Sequence, residues 1–215
     1  MASDLAYSPG LAALVFSLGG GGFTYWPEMN GALAPEVETS TRITFISEHR
    51  EAAVYPIKFS YDLPLPQTMM FEAVYPEPLQ LELEEKQELW DLPGSIFVWM
   101  FVGDQIVGES YGIPVAAMHR EIEGLQDLED AEKESAIYCH SNTILPAFQH
   151  RGLGMILKSH WLGLVAAAGF QTVYGHARPG RSQKLNARFG AVFIQSFADW
   201  YDTGEEYQLY RLALR

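Results

Sequence analysis

Apolar and polar positions alternate in some stretches of this chain and follow a helical period in others. Arg42–Ser47 (RITFIS) alternates and is β-branched, which predicts a strand. Ile96–Val102 and Gln105–Tyr111 flank the tight-turn pair Gly103-Asp104, so Ser95–Ile113 reads as a hairpin. Ala136–Ile144, Gln171–His176, Val192–Phe197 and Tyr207–Ala213 are further strands, the last two joined by a turn at Asp202–Gly204. Met155–Ala168 carries Leu157, Trp161, Leu164 and Ala168 at helical spacing, and Gly169-Phe170 is a good C-terminal stop. That stripe is expected to be core. Leu79–Leu92 reads as a helix ended by Pro93-Gly94, with its glutamates on a solvated face, and Arg181–Phe189 as a short helix ended by Gly190. His49–Ser60 is expected to begin as a helix, with Pro56 limiting it, and Leu63–Gln67 is a proline-rich turn.

The order is strands first, then strand–helix–strand–helix–strand–strand. That predicts an α/β fold on a mixed sheet with a buried parallel centre. Residues 1–41 differ from the rest: Pro9-Gly10, four consecutive glycines and Asn30-Gly31 predict a loosely draped, flexible leader. The glycine run lacks the Gly-Lys-Ser/Thr ending of a phosphate loop. The domain proper is placed at 42–215. Between Glu121 and Glu134 there are seven acids against only Lys133, so residues 114–134 are expected to form a helical, solvent-exposed insertion, with lining of a cationic substrate's entry as the alternative.

Composition narrows the function classes. The chain has 215 residues, is 48% hydrophobic and carries a net charge of -13. One domain with a real core is expected. A nucleic-acid partner is disfavoured, because phosphate binding needs a basic face, and cations, including protonated amines, are favoured. The lone Cys139 permits no intramolecular disulfide, which fits a cytoplasmic location. No apolar run approaches the roughly 20 residues of a membrane span. Leu11–Leu18 lacks a basic flank and is not read as a signal peptide.

One stretch carries a chemical mechanism. Ile144–Gly154 (ILPAFQHRGLG) runs from a strand through a glycine-containing turn into a helix start. Such a turn presents free backbone N–H groups and the positive end of a helix dipole, with glycines letting a phosphate reach the backbone. Arg151 and Lys158 are candidates for phosphate charge, each with an ordinary surface role as the plain alternative. His150 lies inside the turn. No His-Glu-x-x-His or Cys-x-x-Cys spacing is present, so no metal is expected, and no Ser-His-Asp elbow appears.

This stretch resembles the signature of the GNAT superfamily of acyl-CoA N-acyltransferases: a small apolar residue, x, Pro, x, aromatic, then Arg/Gln-x-x-Gly-x-Gly/Ala. Here those positions are Ile144, Pro146, Phe148, Gln149, Gly152 and Gly154. Downstream, the family's alanine, leucine, tyrosine and Gly-Phe pair correspond to Ser182, Leu185, Asn186 and Gly190-Ala191. The resemblance covers about residues 42–215 and is strongest over 136–193. It implies a GNAT-like fold: a mostly antiparallel central sheet with one splayed parallel pair, flanked by helices. It implies acetyl-CoA as co-substrate, held at Ile144, Gln149, His150, Arg151, Gly152, Leu153, Gly154, Lys158 and Ser182. Ile144 takes the position whose N–H polarises the thioester carbonyl.

Acyl transfer needs a neutral amine, and a lysine-like amine has a pKa of about 10.4. Strand alternation predicts Tyr138, His140, Asn142 and Ile144 on one face, pointing to one cleft. His140 is the leading candidate base, at a position where serotonin-type arylalkylamine acetyltransferases carry a histidine; a hydrogen-bonded core histidine is the alternative. Tyr138 replaces the family's frequent glutamate, and Glu109 is a second candidate base. Asn186 replaces the usual tyrosine, and an amide cannot deliver a proton, so the acid is water, a nearby group such as Ser182, or dispensable. The expected activity is N-acetyl transfer from acetyl-CoA to a primary amine by direct attack in a ternary complex. The missing carboxylate and tyrosine leave a non-catalytic acyl-CoA-binding regulatory module as the alternative. The acceptor is a small-molecule or peptide amine with a lean to cations, without nucleic acid or membrane; a monomer and a homodimer both remain open.

Overall fold

The computed structural model describes residues 14–18, 21–25, 36–47 and 50–214, with side chains from Pro56 onward. Ten strands are described, in two sheets, and the core lies on both faces of the central strands of the larger one. β1 (Leu14–Leu18) and β2 (Gly21–Tyr25) pair only with each other. β3 (Glu36–Ser47), β4 (Arg50–Ser60), β5 (Ile96–Val102), β6 (Gln105–Pro114), β7 (Ala136–Ile144), β8 (Thr172–Ala177), β9 (Val192–Phe197) and β10 (Tyr207–Ala213) form an eight-stranded sheet. Its order is β3-β4-β5-β6-β7-β8-β10-β9. Every neighbouring pair is antiparallel except β7 and β8.

A parallel pair needs a crossover, and α4 (Leu153–Ala167) supplies it. Leu157, Trp161 and Val165 of α4 are fully buried against Val98, Met100, Val107, Ile137 and Val173 of the sheet. α5 (Arg181–Arg188) ends in Phe189, which packs against the same face. The opposite face is covered by α1 (Leu83–Asp91), three short 3-10 turns between Leu65 and Leu79, α2 (Val115–Met118) and α3 (Asp130–Glu134). Phe97, Trp99, Tyr111 and Tyr138 are buried there.

The hairpin, β7, β9, β10 and the two long helices form where the pattern predicts them, within two residues except for the end of β6 and the start of α1. Arg50–Ser60 is a strand, not the beginning of a helix. Pairing overrides local propensity: Ile57 and Phe59 alternate into the core while the segment bridges β3 and β5. The 114–134 insertion is only partly solvated. Its glutamates stay at the surface, but Ile122 and Leu125 anchor it to the core. The α1 glutamates form the expected solvated face. The leader reading for 1–41 falls largely on residues outside those described.

Candidate active site

The parallel strands β7 and β8 stay together for only three residues, Ala136↔Thr172, Ile137↔Val173 and Tyr138↔Tyr174. From Cys139 to Ile144, β7 has no partner on its β8 side, so the two strands open into a wedge. The β6–β7 register shifts between Tyr111 and Gly112, whose partners are Ser141 and Cys139, so His140 is the extra residue of a bulge. Gly112 is required beside it. A Cβ there would lie 2.6 Å from the Tyr138 carbonyl oxygen and 2.5 Å from the Trp161 ring.

The bulge overturns the expected alternation. Tyr138 and His140 stay on the face of Tyr111, opposite α4, and Ser141 and Thr143 join them by bonding Tyr75. Ile144 instead turns to the α4 face, against Gly108 and Leu157. Asn142 pairs in register with Ser110, one residue out of phase with that cluster, and its Oδ1 is buried without a partner.

At the wide end of the wedge the chain turns through Pro146–Phe148, with His150 at φ 64° and Gly152 at φ 80°, into α4. A left-handed Gly152 at the helix start is what glycine permits without cost. The N–H groups of Gly152, Leu153 and Gly154 donate to no acceptor in the described chain. A Cβ on Gly154 would meet nothing nearer than 3.8 Å, so the approach to these amides is open. Three free amides at a helix N-terminus with open access fit a pyrophosphate. The Gln149 side chain is turned inward, its Nε2 donating to the Ile144 carbonyl, and so locks the turn. Arg151 is exposed and lies over the Phe148 ring. Arg181, at the start of α5, donates to His150 Nε2 at 2.9 Å and adds a second cation at the rim.

Lys158 is not at the phosphate turn. Its side chain is buried, with Nζ bonded to Cys139 Sγ at 3.0 Å and to Tyr210 Oη at 3.2 Å. About one and a half helical turns past the start of α4, it faces the sheet and not solvent. Ser182 is exposed and its carbonyl accepts from Asn186 Nδ2. Asn186 is buried, with Oδ1 left without a partner.

The other face of the wedge carries buried tyrosines and histidines in contact. Tyr138 of β7 and His176 of β8 meet across the opening, with Tyr138 Oη 2.8 Å from His176 Nδ1. His176 stacks on Trp200 at 3.7 Å, and its Nε2 is buried without a partner. His140 stacks on Tyr111 and shares a 3.1 Å hydrogen bond through Nδ1. Burial holds His140 down at about 4 and His176 at about 3, so both imidazoles are neutral at pH 7. Burial also raises the Tyr138 phenol, which stays protonated.

Glu109 is fully buried and has both oxygens engaged: Oε1 with Lys86 Nζ at 2.9 Å, Oε2 with Trp99 Nε1 at 2.7 Å. Lys86 also pairs with Glu72 at 2.8 Å. Burial pushes Glu109 up to about 7, with the Lys86 ammonium opposing. This cluster ties α1 to the sheet and engages both Glu109 oxygens within the core. Among the described residues, no group of three or more His, Cys, Asp or Glu side chains is placed to hold a metal, and no helix is long and apolar enough to cross a membrane.

His176 and Tyr75 escaped the sequence reading. A signal for His176 exists: Tyr138-Cys139-His140 recurs as Tyr174-Gly175-His176, and the parallel register pairs the two tyrosines. The repeat sets the two imidazoles on neighbouring strands.

No family sequence model matches the chain, and no curated protein matches it by sequence. Solved structures do match its fold. NAA60 of Arabidopsis thaliana in complex with acetyl-CoA superposes with a TM-score of 0.59 at 15% identity, over 74% of this chain and 98% of that one. A ribosomal-protein-alanine N-acetyltransferase of Brucella melitensis gives 0.54 at 13%, over 73% and 99%. A spermidine N-acetyltransferase chimera from Vibrio cholerae and hSSAT gives 0.55 at 13%, over 73% and 95%. With its splayed parallel pair, its glycine turn and its crossover helix, the chain has the fold of the GNAT N-acetyltransferases.

Proposed function

We propose that the protein is an acetyl-CoA-dependent N-acetyltransferase that acts on a primary amine by direct attack in a ternary complex. The observation that carries the reading is the Tyr138–His176 pair, spanning the wedge between the splayed strands. Acetyl-CoA would bring an acyl carbon already activated as a thioester. The amides of Gly152, Leu153 and Gly154 hold its pyrophosphate, with Arg151 and Arg181 supplying charge at the rim. The unpaired edge of β7 up to Ile144, with the orphaned Asn142 and Asn186 oxygens, offers hydrogen bonds to an amide-bearing arm.

His176 is the base this geometry favours. With its Nδ1–H given to Tyr138, its Nε2 lone pair is free to take the proton of an attacking amine. His140 is built alike, with Nδ1 on Tyr111, and is the alternative on the same face. The acceptor is read as cationic. Half-exposed Tyr201 donates to the Glu121 carbonyl and so ties the Trp200 loop to the acidic insertion. Tyr201 and Asp202 both hold positive φ, 47° and 57°, a strain that clusters at functional loops. Acids beside aromatic rings suit an ammonium group. Residues 42–215, together with the first half of β3 from Glu36, are taken as the catalytic domain, with a cytoplasmic location.

The test has two steps. Acetyl-CoA is expected to raise the Tm; no shift at millimolar cofactor rejects the proposal. CoA release is then followed over an amine panel that includes polyamines and peptide N-termini. Binding without turnover on any amine leaves the regulatory-module reading, which the loss of the family's glutamate and tyrosine motivates.

A further inference from the structure

The narrow end of the wedge is closed by a polar cluster that the reading above does not use. Cys139 is the first residue of β7 beyond the last β7–β8 pair, and Gly175 is its counterpart on β8. Tyr210 of β10 is paired with Gly175, and its hydroxyl lies where a Cβ on Gly175 would be, 2.6 Å away. Lys158 Nζ rises from α4 and bonds both Tyr210 Oη and Cys139 Sγ. The cluster therefore spans both strands at the first open register. Lys158 is 1% exposed and forms no salt bridge with a carboxylate among the described residues. A buried lysine without a carboxylate partner is costly and seldom placed without use. Its neighbours are a thiol, a phenol and the Trp161 and Tyr210 rings. An ammonium has three donors, and two are engaged here.

We propose that Lys158 is the sulfur-binding group of the site: Nζ, braced by Tyr210, donates to the sulfur of a bound acyl-CoA and stabilises the thiolate that leaves. The inference rests on the acyl-CoA reading above. It answers a gap in the chain, because Asn186 stands where a tyrosine would release a proton and an amide cannot. Lys158 already holds one sulfur, at 3.0 Å, in the manner required. In the step itself, the amine nitrogen bonds the acyl carbon and the carbon–sulfur bond breaks. The electron pair goes to sulfur, which leaves as a thiolate paired with the Lys158 ammonium, and the proton released by the attacking amine passes to His176 Nε2.

The thiol can be titrated without knowing the acceptor. Cys139 is the only cysteine, so a Cys139→Ser protein has no thiol of its own. CoA bound to that protein is titrated by thiolate ultraviolet absorbance. Its thiol is expected to ionise below the ordinary value of about 8.5, and Lys158→Met to raise the apparent value by about one unit, tenfold in the ionisation constant. Lys158→Gln, which keeps an N–H donor without the charge, carries the same test should the Met variant not fold. An unshifted bound thiol in the Cys139→Ser protein, or identical titrations with and without Lys158, overturns the proposal. Failure of CoA to bind the wild-type protein at all overturns the acyl-CoA reading instead.

Discussion

At the scale of single residues, the site depends on which neutral groups burial has produced. His176→Ala is expected to lower turnover by about 10²–10⁴-fold with acetyl-CoA affinity retained, measured by CoA release against calorimetric binding. Tyr138→Phe, which removes only the hydroxyl on Nδ1, is expected to act in the same direction and less. Because burial holds His176 down at about 3 and His140 at about 4, the acid limb of the rate profile is expected near pH 3 with His176 as the base, near pH 4 with His140, and not near 6.5. Stability follows the same sign. Between those values and the unfolded value of about 6.5, the unfolded chain binds more protons, so these imidazoles cost stability progressively as pH falls below about 6.5. Glu109 runs the other way. Raised to about 7, it binds its proton more tightly in the fold, so its contribution is complete below the ordinary carboxylate range and is lost as pH rises through about 7. Thermal denaturation from pH 4 to pH 8 checks both slopes, and Glu109→Gln is expected to flatten the alkaline one.

At the scale of elements, two devices hold the wedge in shape. The first is the bulge at His140, which needs a glycine opposite. Gly112→Ala forces a methyl against the Tyr138 carbonyl, which is backbone and cannot rotate away, and is expected to cost about 1–3 kcal/mol in urea unfolding. Gly154→Val is the contrasting case. With nothing within 3.4 Å of its Cβ position, it is expected to leave packing intact while weakening CoA binding, by crowding the amides. The second device is the Glu72–Lys86–Glu109 cluster. Lys86→Met leaves two carboxylates buried together and is expected to destabilise by about 3–5 kcal/mol, again read in urea. Elements were legible wherever the signal was local. The hairpin turn at Gly103-Asp104 and the glycine-ended helices could be read from a few adjacent residues. Arg50–Ser60 could not, because its strand exists only by pairing with β3 and β5.

At the scale of the whole molecule, the net charge of -13 acts on two ligands of opposite sign. Raising ionic strength from about 0.05 M to about 0.5 M is expected to raise KM for a cationic amine and lower it for anionic acetyl-CoA, as screening shortens the reach of the surface charge. A neutral acceptor would leave the first constant unmoved. The fold could be read from the sequence because the strand–helix order is written contiguously, and the glycine turn expected within Ile144–Gly154 forms there. The Tyr138–His176 pair and the Lys158 cluster could not. His176 acquires a role only from the parallel register that sets it beside Tyr138. A lysine inside an otherwise readable helix is expected at the surface, and only the helix's rotation against the sheet turns Lys158 inward.

The brevity of the β7–β8 pairing has one more consequence. Three residue pairs are all that join the halves of the sheet at this seam, so the β8-side amides of Cys139–Ile144 have no strand to protect them in the free protein. They form a natural reporter. Their deuterium uptake is expected to be fast in the apo protein and to slow selectively when acetyl-CoA is added, while amides shared with β6 change little. Mass-resolved exchange over this strand would therefore register occupancy of the seam by any ligand, before its acceptor is known.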